Sequence, residues 1–296
     1  GTITNSRVGG TKLDVYKVEK SGSVKELNYR YSYGGNSSNY DLPVFTINSF
    51  GEIAGFVYEN NGSITSSFAS NIRIINNSQI NYTTITSGFV INNNGTISMS
   101  YAKGVKASET DIHATKFGIE TSGIASGFAY QNKGNISDCY SNINLTNLQN
   151  NPGRSSAGFV YSNTQGGKAK NSLSLSRIIS STTTQMNFSG VDELGNYISD
   201  KDSITNSYYY DQVALESDTI SFQKAYGESA SSVSSVIIEE YFYGFNFAST
   251  YNDGIWKMTA QGPDLVSAND IAVSLRYTSK ASENLSKPKT AYVDKF

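Results

Sequence analysis

Apolar and polar positions along this chain follow one pattern that occurs four times. Each copy opens with glycine, phenylalanine and a small or branched apolar residue, passes through a polar corner containing glycine, and closes on an alternating run. The copies begin at Gly55, Gly88, Gly127 and Gly158, and half-copies occupy residues 2–6 and 203–208. The central apolar position recurs about every 33 to 39 residues. Repeats of this length are typical of solenoids, propellers and arrays, since one repeat cannot bury its own apolar face.

The repeat contains β-type runs instead of helical periodicity. Two short segments, such as Gly55 to Tyr58 and Ser63 to Ser70, are rich in Phe, Val, Ile, Tyr, Thr and Ser. Between the two segments lie four glycine-containing corners, which are predicted to supply a positive φ: Asn61-Gly62, Asn94-Gly95, Lys133-Gly134 and Gly166-Gly167. A propeller is the alternative, because Asn-Gly is also a hairpin signal. However, a blade needs four strands in about 40 residues, and only two are clear.

We therefore predict an all-β fold, a right-handed parallel β-helix (β-solenoid) of about six coils with a C-terminal cap. Stacking at about 4.8 Å per coil would align equivalent positions into rows. The predicted rows are an internal one of Phe56, Phe89, Phe128 and Phe159, a second of Ile64, Ile97 and Ile136, and a third of Phe68, Tyr101, Tyr140, Leu173 and Tyr208. Beside the third row lie Ser67, Ser100, Cys139, Ser172 and Ser207.

Three regions follow from this pattern. Residues 1–211 are predicted to form the repeat solenoid. Residues 212–276 are predicted to form the C-terminal cap, with a short helix possible over Ser221 to Glu240 and aromatic strands over Tyr241 to Phe247 and Gly254 to Met258. Such a cap would cover the last strand edges. Residues 277–296 are Lys- and Ser-rich and are predicted to be a tail or linker.

The amino-acid composition limits the kinds of partner that the chain can bind. Charged residues are only 16% of the chain, and the formal net charge of -2 argues against nucleic acid, which requires a basic surface. No apolar run reaches the roughly 18 residues of a membrane helix, so no membrane-spanning segment is predicted. The chain starts with Gly1 inside a half-copy of the repeat. We therefore expect it to be part of a larger polypeptide, whose remainder is itself a partner.

The repeat resembles the GLUG motif of bacterial surface proteins. The best correspondence runs from Gly88-Phe89-Val90 through Asn94-Gly95-Thr96-Ile97 to Ser100-Tyr101-Ala102, and four copies occur in register. The fourth motif residue is usually glycine, but here it is Tyr58, Ile91, Tyr130 and Tyr161. The resemblance implies an extracellular or cell-surface bacterial protein, such as an adhesin of the filamentous-haemagglutinin kind. It also allows a non-catalytic region of a larger enzyme, because IgA-cleaving metallopeptidases carry the same motif.

The sequence offers little catalytic chemistry. His113 is the only histidine, which excludes the two-histidine motif of a zinc protease. A serine triad would have to use His113, and no Gly-x-Ser-x-Gly nucleophile elbow accompanies it. Glu109, Asp111 and His113 alternate and would share one face of a strand, where they could hold a metal, although a solvated insertion loop is the interpretation that we favour. Asp200 and Asp202 could bind calcium, but they have no further acidic neighbours, so a turn is the interpretation that we favour. We predict no catalytic residue and no cofactor, with a polysaccharide-degrading β-helix enzyme using Asp192 as a remaining alternative.

Binding is the favoured function. Tyrosine offers a large contact area and a hydroxyl group at low entropic cost, and the chain has 21 of them. The candidate binding residues are Tyr208, Tyr209, Tyr210, Tyr241 and Tyr243. We expect a non-catalytic, adhesin-like binding or display module that recognises a host glycan or glycoprotein. A structural spacer within a larger secreted enzyme or toxin is the alternative.

Overall fold

The computed structural model of the protein describes residues 1–9, 15–18, 24–27, 45–49, 51–76, 84–106, 115–147, 156–179, 188–190, 199, 201–210, 222–225, 239–249, 252–259, 262–266, 275–276 and 292–293. Within these residues the regular structure is almost entirely β, with no α-helix. Two short 3-10 turns are present, η1 at Lys201–Ser203 and η2 at Glu239–Tyr241. Accordingly, none of the described residues forms a helix long and apolar enough to cross a membrane.

The strands are short. The first fifteen are β1 Thr2–Thr4, β2 Arg7–Gly9, β3 Val15–Val18, β4 Val24–Leu27, β5 Phe45–Ser49, β6 Ile53–Ala54, β7 Val57–Asn60, β8 Ser63–Thr65, β9 Phe68–Asn76, β10 Ile85–Ser87, β11 Val90–Asn93, β12 Thr96–Ser98, β13 Tyr101–Lys106, β14 Thr115–Phe117 and β15 Ile119–Thr121. The others are β16 Ile124–Ser126, β17 Ala129–Asn132, β18 Asn135–Ser137, β19 Tyr140–Asn142, β20 Leu145–Asn147, β21 Val160–Asn163, β22 Lys168–Lys170, β23 Leu173–Ser174, β24 Ile178–Ile179, β25 Ile204–Thr205, β26 Tyr208–Tyr210, β27 Phe222–Lys224, β28 Trp256–Thr259, β29 Gly262–Leu265, β30 Leu275–Arg276 and β31 Tyr292–Val293.

Successive turns of the chain stack their strands into four sheets. The first sheet has the order β6-β10-β16, the second β7-β11-β17-β21, and the third β1-β8-β12-β18-β22-β25. The fourth and largest runs β24-β20-β15-β9-β13-β19-β23-β26-β27, with β2, β5 and β14 beside this path. The strands of successive turns pair in parallel, so the fold is a β-solenoid and the hairpin-built propeller is wrong. About three turns, beginning at β6, β10 and β16, have strands in every sheet.

The strand register confirms the sequence alignment of the repeats. In the third sheet Ile3, Ile64, Ile97, Ile136, Ala169 and Ile204 pair in one continuous row. Equivalent residues therefore lie directly above one another. About three complete turns do not confirm the predicted six coils, and the handedness stays a prediction.

The predicted phenylalanine row lies inside the solenoid. Phe56, Phe89, Phe128 and Phe159 stack with ring centroids 4.6, 4.7 and 4.9 Å apart, and Phe188 extends the row at 4.8 Å. These separations match the distance between neighbouring strands, about 4.8 Å. Each fully buried phenylalanine contributes roughly 1.5–3 kcal/mol to the free energy of unfolding. This row is the centre of the main core.

A row of asparagines lines one corner beside this core. Asn60 Nδ2 donates to Asn93 Oδ1 (2.7 Å), Asn93 to Asn132 (2.7 Å) and Asn132 to Asn163 (2.9 Å). All four side chains are buried. Because each amide both donates and accepts, the row satisfies polar groups that would otherwise be costly inside the core. The sequence carried a signal for this row, an asparagine two residues before glycine in three copies, but we did not predict it.

The positive φ was predicted at the wrong corner. Of the four predicted corners, only the one at Gly166 (φ 83°) has a positive φ. A row of left-handed residues that are not glycine lies instead between the third and fourth sheets: Asn5, Ser66, Met99, Asp138, Asn171 and Asn206, with φ of 45° to 52°. At the predicted corners glycine is needed for close approach. A Cβ on Gly95 would collide with the Gly62 carbonyl oxygen, and one on Gly134 with that of Gly95.

A row of small polar side chains follows these left-handed residues. Ser67, Ser100 and Ser172 each donate to the carbonyl oxygen two residues earlier, at 2.7 to 2.9 Å. Ser67 Oγ and Ser100 Oγ accept the amide of the equivalent residue in the preceding turn, at 3.2 and 3.1 Å. Cys139 occupies this row and is fully buried. Its Sγ lies 3.1 Å from the Ser137 carbonyl oxygen, and burial raises its pKa, so it stays a thiol.

The third predicted row does not belong to the main core. Tyr101, Tyr140, Leu173 and Tyr208 form a second apolar cluster together with residues from the C-terminal region, namely Phe222, Phe242, Phe245, Trp256 and Leu265. Strand β27 also pairs antiparallel with β26, the last strand of this row. The C-terminal segment therefore covers the outer side of the fourth sheet.

The other predictions for this region have mixed outcomes. The cap over the end of the solenoid is not confirmed. Most of the predicted helix (226–238) lies outside the described residues, while its start is strand β27 and its end is turn η2. In the predicted tail, Tyr292–Val293 pairs antiparallel with Leu275–Arg276.

Candidate functional site: tyrosines on two outer surfaces

Of the candidate metal ligands, the structure describes Asp202, which is exposed in turn η1. Glu109, Asp111 and His113 lie outside the described residues, as do Asp192 and Asp200. Among the residues that the structure does describe, no group of three or more His, Cys, Asp or Glu side chains could hold a metal ion. The metal hypothesis for residues 109–113 therefore stays a prediction.

The strand Tyr208–Tyr210 divides its three tyrosines between two environments. Tyr208 and Tyr210 are buried in the second cluster, where the Tyr208 ring meets Phe242 edge-on at 5.1 Å. Tyr209 points the other way, and its hydroxyl donates to Gln223 Oε1 at 2.6 Å. The alternation follows from the two faces of a strand. Tyr208 and Tyr210 stabilise the C-terminal segment, and their rings are not available to a ligand.

Tyr241 and Tyr243 are on the surface. Their side chains are 40% and 72% exposed, whereas the neighbouring Phe242 and Phe245 are buried in the second cluster. The Phe245 amide donates to the Phe242 carbonyl oxygen (3.1 Å), which closes a tight turn. Buried phenylalanines thus hold the backbone while the tyrosines project outwards. We refer to Tyr241 and Tyr243 as the exposed tyrosine pair.

Gly244 shapes this turn. Its φ is 88°, and a Cβ there would collide with the side chains of Asn171 and Asn206. Both asparagines belong to the left-handed row of the solenoid. The exposed tyrosine pair is therefore positioned by direct contact of its backbone with the solenoid.

A buried carboxylate joins the C-terminal segment to the solenoid. Trp256 Nε1 donates to Asp138 Oδ1 at 3.2 Å, and Asn171 Nδ2 donates to the same oxygen at 3.4 Å. Burial raises the pKa of Asp138, while the hydrogen bonds from Trp256 and Asn171 and the charge of Lys170 lower it. Sequence reasoning missed this contact, because its two residues are 118 positions apart.

A second outer surface carries the tyrosines at the fourth motif position. Tyr58 is exposed and Tyr130 and Tyr161 are half-buried, and none of these three replacements of glycine belongs to a buried cluster. Ile91, at the same position of the second copy, is buried. The rings of Tyr130 and Tyr161 stack at 5.2 Å with 15° between their planes. Tyr58 is 50% exposed and its hydroxyl donates to the Glu52 carboxylate, which raises the pKa of Tyr58. We call Tyr58, Tyr130 and Tyr161 the outer tyrosine row.

The two surfaces have different chemistry. In the outer tyrosine row the rings of Tyr130 and Tyr161 stack on one another, so one face of each ring is already covered. At the exposed tyrosine pair, Tyr243 is the most exposed large hydrophobic residue that the structure describes. A ring of this kind can stack on the apolar face of a ligand and also offer a hydrogen bond.

Comparison of the chain with protein-family models, with curated proteins and with solved structures finds no match.

Proposed function

We propose that this chain is a non-catalytic, adhesin-like binding and display module of a larger secreted or cell-surface bacterial protein. Its ligand in this proposal is a host glycan or glycoprotein. The observation that carries the proposal is the exposed tyrosine pair, two surface tyrosines on a turn whose neighbouring phenylalanines are buried. Preorganised aromatic side chains bind with a low entropic cost.

The finer architecture belongs to the same proposal. The solenoid would be right-handed with about six coils, an extent that the six strands of the third sheet support. Residues 212–276 would act as the cap, which the pairing of β27 on β26 supports. The GLUG-like repeat would account for the surface location.

The test is an array of glycans and host glycoproteins probed with the purified chain, with and without calcium. We expect saturable binding that Tyr243→Ala weakens at least about tenfold, the loss typical of an aromatic hot spot. Tyr58→Ala, which removes a half-exposed tyrosine from the other surface, is the matched control and should bind normally. Equal binding by both variants would reject the placement of the site, and calcium dependence would support the calcium interpretation of Asp200 and Asp202.

A spacer is the second candidate, favoured by a specific observation. The asparagine row links four successive turns through side-chain hydrogen bonds of 2.7 to 2.9 Å, so the turns resist separation along the axis. A spacer predicts a blank array from a well-folded sample. Glycan turnover that Asp192→Ala abolishes would instead support the polysaccharide-degrading alternative.

A further inference from the structure

The first turn of the solenoid lacks two of its strands among the described residues. Strand β1 adds to the third sheet, and β2 and β5 add to the fourth, all on the N-terminal side of the first complete turn. In the first and second sheets the outermost strands on that side are β6 and β7. These two edges form what we call the open end.

The side chains at the open end are less covered than their equivalents in later turns. Phe56 and Val57 are only partly buried. Their counterparts in the next turn, Phe89 and Val90, are fully buried because another turn lies on each side of them. Ile64, by contrast, is buried, since β1 supplies Ile3 above it. Side chains at this end are therefore less buried only where the described residues supply no strand of an earlier turn, beside β6 and β7.

The backbone groups at the open end are equivalent to those that form hydrogen bonds between later turns. The carbonyl oxygen of Phe89 accepts the amides of Phe56 and Val57, both at 3.0 Å, and that of Phe128 accepts the amides of Phe89 and Val90. For the Phe56 carbonyl oxygen, the described residues supply no such backbone donor. This is a strand edge of the kind to which a further strand adds.

The hydrogen bonds of the asparagine row run in the same direction, from a donor in one turn to an acceptor in the next. Asn60 Oδ1 accepts the Gly62 amide at 3.1 Å, as Asn132 Oδ1 accepts that of Gly134 at 3.3 Å. Asn132 Oδ1 also accepts the side-chain amide of Asn93 from the turn before it. No asparagine of an earlier turn donates to Asn60 Oδ1 among the described residues. The row therefore ends on an acceptor.

We propose that the open end is a docking surface for a strand-corner-strand segment of the same repeat type. The segment has the chemistry of the first half of the repeat, with glycine facing Gly55, phenylalanine on Phe56, a small apolar residue on Val57, and asparagine on Asn60. Continuity with the packing between later turns defines each of these positions. This inference is independent of the proposed ligand, since it concerns the end of the solenoid and not its tyrosines.

The experiment completes the turn with sequence from the chain itself. A copy of residues 84–94 placed ahead of Gly1 would restore an unbroken repeat, because Gly1-Thr2-Ile3 matches Gly95-Thr96-Ile97. The control is the same extension with valine in place of the glycine copied from Gly88. A Cβ on Gly88 itself would collide with the carbonyl oxygen of the next glycine in the row, Gly127, so the control segment should be unable to dock.

We expect the extension to raise Tm by about 5 °C and the amides of its phenylalanine and following valine to exchange slowly with deuterium. The control extension should leave Tm unchanged and exchange at unfolded rates. Rapid exchange of both extensions would overturn the proposal, and so would an equal rise in Tm for both, because shape-specific docking would then be unnecessary. Glycan binding measured on the same proteins tests the proposed function separately.

Discussion

Replacing Asn93 by alanine removes one of the two central side chains of the asparagine row. Asn93 is fully buried, donates to Asn132 Oδ1 and accepts from Asn60 Nδ2, both at 2.7 Å. Neither neighbour is left without a partner. Asn60 Nδ2 also reaches the Thr96 carbonyl oxygen at 3.2 Å, and Asn132 Oδ1 keeps the Gly134 amide. A third hydrogen bond runs from Asn93 Nδ2 to the Gly95 carbonyl oxygen at 3.3 Å, and that oxygen keeps the Asn135 amide at 2.8 Å. The cost is therefore two buried hydrogen bonds, one longer bond and a small cavity, without a newly orphaned group.

The magnitude follows from that inventory. The loss of the two buried hydrogen bonds at about 1 kcal/mol each, together with the longer bond and the cavity, lowers the free energy of unfolding by about 2–4 kcal/mol. For a domain of this size that loss lowers Tm by roughly 5–15 °C. Asn93→Asp should be worse, because it places a carboxylate against the acceptor oxygen of Asn132 in a buried site.

Asn94→Ala provides the matched control. Asn94 is the next residue and also bonds across turns, but its contacts with Glu59 and Asn61, at 3.0 and 2.8 Å, are exposed. We expect it to change the free energy of unfolding by less than about 0.5 kcal/mol. Urea unfolding followed by far-UV circular dichroism gives both values. If Asn93→Ala and Asn94→Ala prove equally stable, the asparagine row is not a stabilising feature.

Three further predictions test the rows and the attachment of the C-terminal segment. Cys139→Ser should stabilise the chain by up to about 1 kcal/mol, since serine is a stronger donor and acceptor in this row, and a loss of stability in urea unfolding would contradict this. Because burial raises the pKa of Asp138 in the folded state, its contribution to stability is fully present below the ordinary value of about 4 and is lost as pH rises through the raised pKa. Asp138→Asn should abolish this pH dependence. Unfolding at several pH values can be followed by the fluorescence of Trp256, the only tryptophan. A variant whose stability depends on pH as the original does would refute the prediction. Gly95→Ala should lower the free energy of unfolding by at least about 2 kcal/mol, because the new Cβ would collide with the backbone. Gly166→Asn, at a position with open space and a φ of 83°, should lower it by under about 1 kcal/mol. The reverse order in thermal unfolding would show that φ, and not close approach, decides where glycine is needed.

The tyrosine content has a structural explanation beside the functional one. Tyr101, Tyr140 and Tyr208 lie on the outside of the fourth sheet, where the C-terminal segment buries them. Tyr101 stacks on Phe68 and Tyr140 at 4.7 and 4.8 Å. A high tyrosine count therefore does not by itself indicate a binding surface, and exposure separates the two roles.

What the sequence determined by itself was the stacking of the turns. In a solenoid with parallel, in-register strands, residues one period apart lie one strand apart, so a spacing along the chain becomes a contact in space. For this reason the phenylalanine row from Phe56 to Phe159 and the isoleucine row from Ile64 to Ile136 could be predicted from the repeats alone.

Only the tertiary structure decided where the chain departs from that periodicity. The left-handed corner at Ser66 and Met99 was missed because its conformation is held by hydrogen bonds between turns, and glycine was not required. The burial of Tyr208 and the contact of Trp256 with Asp138 depend on a segment that is outside the repeat and returns to its side. Such contacts join unrelated positions, so no period in the sequence announces them. They are set by which apolar surface remains uncovered once the turns have stacked.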